Sequence, residues 1–362
     1  MWPEVCVKVK NDSVRLRIEE SEERLSIHAV RSKETVGREI AELESPLRTA
    51  FQRDRDRIVH CKAFRRIKHK TQVFISPIGD HFVTRLTHTL EVSQIARTIA
   101  RALNLNEDLV EAISLGHDMG HTPFGHVGES ELGRLNEEGF RHNAQSLRLV
   151  DRIEKDGKGL NLTYEVRQGI LHHSKPQGDF LDPDTVKWMT LEAQVIRISD
   201  VIAYLNHDLA DAHRAGILRE DQIPSEIQLA LGNNHSSRIN SMVSDIVDYS
   251  TDLMDSSAGT VTIGMSESVR DAMNALRGFM FENVYGPEDI GQEGVAAREI
   301  IAALYDHFSN NPDGIPNEYN LRSESPKMAV VDYISGMTDR YAIRLSEQLY
   351  PGIAEIFLKR SG

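Results

Sequence analysis

Residues 87–120 read THTLEVSQIARTIARALNLNEDLVEAISLGHDMG. Val92, Ile95, Ala96, Ile99 and Leu103 recur at the i, i+3, i+4, i+7 spacing of one buried helix face, which predicts a helix over 87–103. Asn106 then offers an N-cap, and Glu107 and Asp108 suit the positive end of a second helix dipole. That second helix carries Leu109, Ala112, Ile113 and Gly116 and ends at Met119-Gly120, with Pro123 just beyond. Working outward, Thr190 to Ala212 reads as a third long helix, and Met280, Phe281, Val284 and the stretch 297–308 as more. Strand-type alternation is scarce: Val261-Thr262-Ile263 is the one tempting run, and it is three residues. The fold class read from these patterns is all-α.

The chain has 362 residues, of which 40% are apolar and 27% charged, enough to bury a sizeable core and too ordered in composition for a collagenous or disordered chain. Lys plus Arg is 42 and Asp plus Glu 55, a net charge of −13, the wrong sign for a general nucleic-acid coat. Cys6 and Cys61 are its two cysteines, which excludes a disulfide framework and cysteine-rich zinc modules. No apolar run approaches the ~20 residues of a membrane span, and the start is too polar for a signal peptide. A cytoplasmic protein with no membrane contact is the expectation.

Residues 1–45, with the acidic run Glu19, Glu20, Glu22 and Glu23, read as a loose N-terminal arm. Residues 46–249 read as a catalytic portion, and 250–362 as a C-terminal helical portion on the same body, joined through a Ser-, Thr- and Gly-rich loop over 250–268. Between Phe51 and Lys70 the charge inverts: Arg53, Arg55, Arg57, Lys62, Arg65, Arg66, Lys68 and Lys70 face Asp54 and Asp56 alone. That stretch is either a solvated basic helix face or a surface for phosphate or single-stranded nucleic acid.

Fifteen histidines supply the chemistry. His88 starts the first helix, His117-Asp118 ends the second, and Asp200 lies within the third. Imidazoles and carboxylates from separate helices make a mixed N/O site suited to a divalent Mn, Mg, Ni, Co, Fe or Zn ion, with positions left open for water and a phosphate oxygen. Residues 116–126, GHDMGHTPFGH, set three histidines among three glycines and a proline, a poor pattern for core filler. His126 and Glu129, three apart, share a helix face, so the carboxylate can fix the imidazole for proton transfer. Asp200, Tyr204 and Asp208, at i, i+4 and i+8, line one face of one helix.

These residues carry a resemblance. His88, His117-Asp118 and Asp200 match the H…HD…D signature of HD-domain phosphohydrolases. The longer strings are more specific: FQRDRDRI at 51–58, KTQVF at 70–74, HDMGHTPFGH at 117–126, HNAQS at 142–146 and MTDRY at 337–341 look like the bacterial deoxyguanosinetriphosphate triphosphohydrolase-like proteins. The resemblance spans most of the chain from Ser45. It implies a dNTP triphosphohydrolase, with a preference for dGTP open, that cuts between O5′ and the α-phosphorus and releases deoxynucleoside and triphosphate. It implies His88, His117, Asp118 and Asp200 as metal ligands, and His126 and Glu129 as a catalytic pair with His121 beside them. Arg85 matches a phosphate contact, and Tyr204 and Asp208 match residues that read the deoxyribose: the ring against the place of a 2′-OH, the carboxylate on the 3′-OH. His142 and Asn143 fall near phosphate or catalysis, and Lys175 would neutralise phosphate. A homo-oligomer is implied, and a single-stranded DNA effector is allowed.

The remaining histidines carry less. His172 and His173 read as outer or surface residues, and His207 and His213 as solvated. Another HD activity, such as a 5′-nucleotidase or a phosphodiesterase, and a nucleic-acid-binding module using the basic helix are the competing readings. Base preference has no legible reader.

Overall fold

The computed structural model describes residues 14–75, 81–174, 182–256 and 261–358. Among these there are helices and two isolated bridges, Arg38–Thr163 and Thr71–Thr84, but no strand. The helices used below are, in chain order, α1 (Val14–Ser21), α2 (Ala50–His60), α3 (Lys62–Arg66), α4 (Arg85–Ala102), α5 (Glu107–Gly116), α6 (Gly125–Leu135), α7 (His142–Arg148), α8 (Tyr164–His172), α9 (Leu191–Arg214), α10 (His235–Asp255), α11 (Glu267–Met280), α12 (Gln292–Asn310), α13 (Pro326–Ser335) and α14 (Asp339–Leu349).

The predicted helices form where their signals lie. Thr84 caps α4 by accepting from the Thr87 N–H, with Thr87 closing the capping box. Asn106 caps α5 by accepting from the N–H groups of Asp108 and Leu109. The α9 helix is buried on almost every side and packs on α4, α5, α8 and α10, so it forms the axle of the catalytic half. No described helix is long and apolar enough to cross a membrane.

One reading changes. The Ser- and Thr-rich stretch from 250 does not begin a loop, because α10 runs on to Asp255. Helix propensity is a weak prior, and burial of Met242, Ile246 and Ser250 along one face of α10 overrides it. Val261-Thr262-Ile263 lies in extended chain with no strand partner, its Ile263 N–H given to the Gln194 side chain at 2.9 Å. The described part of the N-terminal stretch is tied down by buried polar contacts. Ser32 N–H and Oγ–H both donate to Glu22 at 2.6 Å, Val36 N–H donates to Glu165 at 2.7 Å, and Arg38 pairs with the fully buried Asp54.

Several cations of the basic stretch are engaged within the protein. Arg57 donates to the Leu160 and Asn161 carbonyls at 2.9 and 2.8 Å and pairs with Glu42. Arg55 pairs with Asp56 and Glu111, and Arg66 donates to Tyr319 Oη at 3.0 Å. Lys70 is buried and donates to the His121 and Ser335 carbonyls; burial, with Arg66 nearby, lowers its pKa to about 7.

Glu192, at the start of α9, shows how these contacts load the fold. It is fully buried; Oε1 accepts from the Val30 and Asn106 N–H groups at 2.9 and 3.2 Å, while Oε2 has no hydrogen-bond partner among the described residues. Burial pushes its carboxyl up from 4.5 to about 7. A raised carboxyl pKa favours the folded state below the unfolded pKa, and that contribution is lost as pH rises through the folded pKa. Glu192→Gln keeps the acceptor and removes the charge. It should therefore stabilise the protein above about pH 8, by about 3 kcal/mol at most, and change little near pH 4.5, as read by urea unfolding at both pH values.

Candidate metal centre

Four side chains converge from three helices. His88 lies in the first turn of α4, His117 and Asp118 follow α5, and Asp200 lies midway along α9. His88 Nε2 is 3.3 Å from Asp200 Oδ1 and 3.7 Å from Asp118 Oδ2, and His117 Nε2 is 3.6 Å from Asp118 Oδ1. The outer nitrogens are already engaged: His117 Nδ1 donates to the Ser114 carbonyl at 2.6 Å, and His88 Nδ1 lies 2.9 Å from His207 Nε2. Both inward Nε2 atoms are buried without a hydrogen-bond partner among the described residues. Two orphaned imidazole nitrogens beside two carboxylates, at separations compatible with ligand bonds of about 2.0–2.2 Å, fit a divalent cation. His88, His117 and Asp118 thus form one cluster, and Asp200 meets it through His88.

Asp118 is the hinge of this geometry. Burial raises its pKa, but His121, His117 and Arg85 outweigh burial and hold it well below the usual carboxylate range. Arg85 is fully buried; its Nη1 donates to Asp118 Oδ2 at 2.6 Å, whereas Nε and Nη2 have no acceptor among the described residues. Buried guanidinium donors without acceptors are costly, and an anionic oxygen satisfies them.

Local backbone sets the rest. Gly120 lies so close to α7 that a Cβ there would meet Ser146 N at 2.2 Å. Phe124 and Gly125 both have left-handed backbones, φ 64° and 58°. A left-handed phenylalanine is rare, and it is held here from two sides: its N–H donates to Asp339 Oδ1 at 3.1 Å, and its ring stacks on Phe357. The same Asp339 accepts from Thr71 N–H and Oγ–H at 2.9 and 2.7 Å, so the MTDRY motif anchors the turn that launches α6.

The α6 helix carries the predicted pair. His126 is exposed, its side chain 69% accessible, with Nδ1 3.4 Å from Glu129 Oε2. Glu129 binds His142 more closely: Oε1 accepts from the His142 N–H at 2.8 Å and lies 2.9 Å from His142 Nδ1. The His121 ring stacks on His142 at 3.9 Å. Burial opposes the charge on His142, but Glu129 overcomes it and raises the pKa.

Two histidines were underestimated from sequence. His173 is buried rather than peripheral: Nδ1 donates to the Ile170 carbonyl, and Nε2 lies 3.1 Å from His142 Nε2 and 3.7 Å from Asp118 Oδ1. It continues the buried stripe Val166–Ile170, a signal present in the sequence. His207 is likewise buried rather than solvated, and at i+7 from Asp200 it shares the catalytic face of α9. His172, by contrast, packs on Trp188, and His213 pairs with Glu220 at 3.3 Å. Asn143 donates to the Leu171 carbonyl, tying α7 to the end of α8. Tyr204 is half-buried, and Asp208 is buried, with Oδ2 accepting from the Tyr285 hydroxyl at 2.9 Å. Lys175 lies outside the described residues.

The HD domain family matches residues 85–205, a range that contains His88, His117, Asp118 and Asp200, and the phosphohydrolase-associated domain family matches residues 263–348. The deoxyguanosinetriphosphate triphosphohydrolase-like protein of Caldanaerobacter subterraneus subsp. tengcongensis is 49% identical over 90% of this chain and 92% of its own. Proteins of the same name from Desulfatibacillum aliphaticivorans and Clostridium tetani are 47% and 46% identical, each over 93% of this chain and over 98% and 96% of their own. With those identities over nearly the whole length and the HD residues gathered at one buried centre, this chain belongs to the deoxyguanosinetriphosphate triphosphohydrolase-like family of HD-domain phosphohydrolases.

Proposed function

We propose that the chain hydrolyses deoxynucleoside triphosphates to deoxynucleoside and inorganic triphosphate. The observation that carries this reading is the pair of buried, acceptor-less Arg85 donors beside the His88–His117–Asp118–Asp200 centre, which suits a phosphate group held against the ligand set. The names of the relatives narrow the phosphate to a nucleoside triphosphate.

When bound, a divalent ion supplies Lewis acidity toward a phosphoryl oxygen. Arg85 binds and orients phosphate while holding Asp118 ionised for its ligand role. Hydrolysis at the α-phosphorus consumes water and delivers a proton to the leaving O5′. His126, exposed and with Nδ1 toward Glu129, handles that proton at Nε2. Glu129 serves two imidazoles, fixing the ring of His142 as well as supporting His126. Tyr204, one turn beyond Asp200, packs where a ribose 2′-OH would sit. The basic stretch supports a nucleic-acid partner less well, because Arg55, Arg57, Arg66 and Lys70 are committed to carboxylates and carbonyls of the protein itself.

Incubation with each dNTP and NTP in Mn²⁺ or Mg²⁺ should yield deoxynucleoside and triphosphate from dNTPs and little from ribonucleotides, with Tyr204→Ala relaxing that discrimination. A nucleoside monophosphate product, or equal rates on ATP and dATP, would overturn the reading.

Asp118→Ala should lose bound metal and activity together. It should also destabilise the metal-free protein by roughly 3–5 kcal/mol, because it strands the buried Arg85 charge. Denaturation in chelator measures that cost.

His126→Ala should lower turnover by roughly 10²–10⁴-fold with metal content intact, and Glu129→Gln by no more. The double variant should lose less than the product of the two, since the residues act as a unit. Near-normal turnover of metal-loaded His126→Ala would remove it from the mechanism.

A further inference from the structure

Three contacts in series lead from the metal centre into the C-terminal helices. His88 Nδ1 lies 2.9 Å from His207 Nε2. His207 Nδ1 lies 2.7 Å from Asp208 Oδ1. Asp208 Oδ2 accepts from the Tyr285 hydroxyl at 2.9 Å. His88, His207 and Asp208 are all buried, so water does not compete for these bonds.

Chemistry fixes the polarity of the series. An ion at His88 requires a lone pair on Nε2, which puts the single imidazole proton on Nδ1. That proton is donated to His207 Nε2, which must then be the acceptor nitrogen of its own ring. The His207 proton therefore sits on Nδ1, facing Asp208. This last contact joins neighbours on one helix and lies off the N–H axis, so it acts as a short ion–dipole pair rather than a straight hydrogen bond. Two lone pairs at such a separation would repel, so the proton belongs there. The reverse polarity would place a proton on His88 Nε2 and block the ion.

We propose that His207, Asp208 and Tyr285 are positioning residues for the metal centre: together they hold the His88 proton on Nδ1 and keep Nε2 toward the ion. Tyr285 closes a π-helical turn, Phe281–Tyr285, and lies within the segment matched by the phosphohydrolase-associated domain. That segment therefore contributes to metal binding, and not to packing alone. Asp208, which the family resemblance assigns to the sugar, has one oxygen engaged by His207 and the other by Tyr285. It serves the centre before any substrate arrives. The inference rests on the metal-centre reading and not on the identity of the substrate.

The test is the affinity of the metal-stripped full chain for Mn²⁺, read from the free-ion electron paramagnetic resonance signal without nucleotide. His207→Phe removes the acceptor and should weaken binding by about 10–100-fold. His207→Gln offers its side-chain oxygen to the same proton and should restore affinity to within about threefold of the unmodified chain, while Tyr285→Phe, which deletes one hydroxyl, should weaken it by about three- to tenfold. Melting curves in excess Mn²⁺ confirm that each variant is folded. Unchanged affinity in His207→Phe, or equal losses in His207→Phe and His207→Gln, would overturn the inference, the latter by showing that ring packing is what matters. Full affinity in His88→Ala would remove the centre itself and the series with it. Because no nucleotide is present, a failure to hydrolyse dNTPs would leave all of these readings intact.

Discussion

One buried carboxylate, Asp118, organises the catalytic half of the molecule. Its Oδ1 lies 3.4–3.8 Å from the Nε2 atoms of His121, His117, His173 and His142. Its Oδ2 accepts from Arg85 and faces His88. A carboxylate taken this far from water is tolerable only with compensating positive charge and hydrogen bonds. Arg85 supplies part of both, and the imidazoles of His117 and His121 lie close enough to add to it. The helices that bring those groups, α4, α5, α7, α8 and the turn before α6, are therefore constrained to meet at one point. Gly120 lets α7 approach closely enough for them to do so.

The C-terminal helices are part of the same construction. Asp339 holds Thr71 and Phe124. Asp332, fully buried, receives Arg148 and the Gln145 amide. Lys70 bridges the His121 and Ser335 carbonyls. Each contact joins an element of the catalytic half to α13 or α14, and two of them end on the turn that bears His121 and His126. Stability and catalytic geometry are thus coupled: loosening the C-terminal helices would release the left-handed Phe124 and with it the start of α6.

Electrostatics divides the histidines into two classes. Burial drives His121 and His173 well below the ordinary imidazole range. His142 is raised, because Glu129 faces it at hydrogen-bond distance. Which ring a glutamate can reach thus decides which imidazole is made more basic.

Much of this was legible in the chain. Periodicity gave α4 and α5, because each buries an apolar stripe, and the cap Asn106 lies where capping chemistry places it. His88, His117, Asp118 and Asp200 stood out as candidate ligands because their residue types and helical positions are local properties. The extension of α10 to Asp255 was not legible, since its Ser- and Thr-rich composition argues for a loop and only packing of Ile246 and Ser250 decides otherwise. Nor were the roles of His173, His207 and Tyr285, which depend on pairings across 31, 119 and 77 residues. A sequence determines helix faces and ligand chemistry because both are set by neighbours within a few turns. The tertiary structure alone decides which nitrogen of each imidazole faces the ion and which faces a partner, because that choice is made by groups distant in the chain that meet only when the core closes.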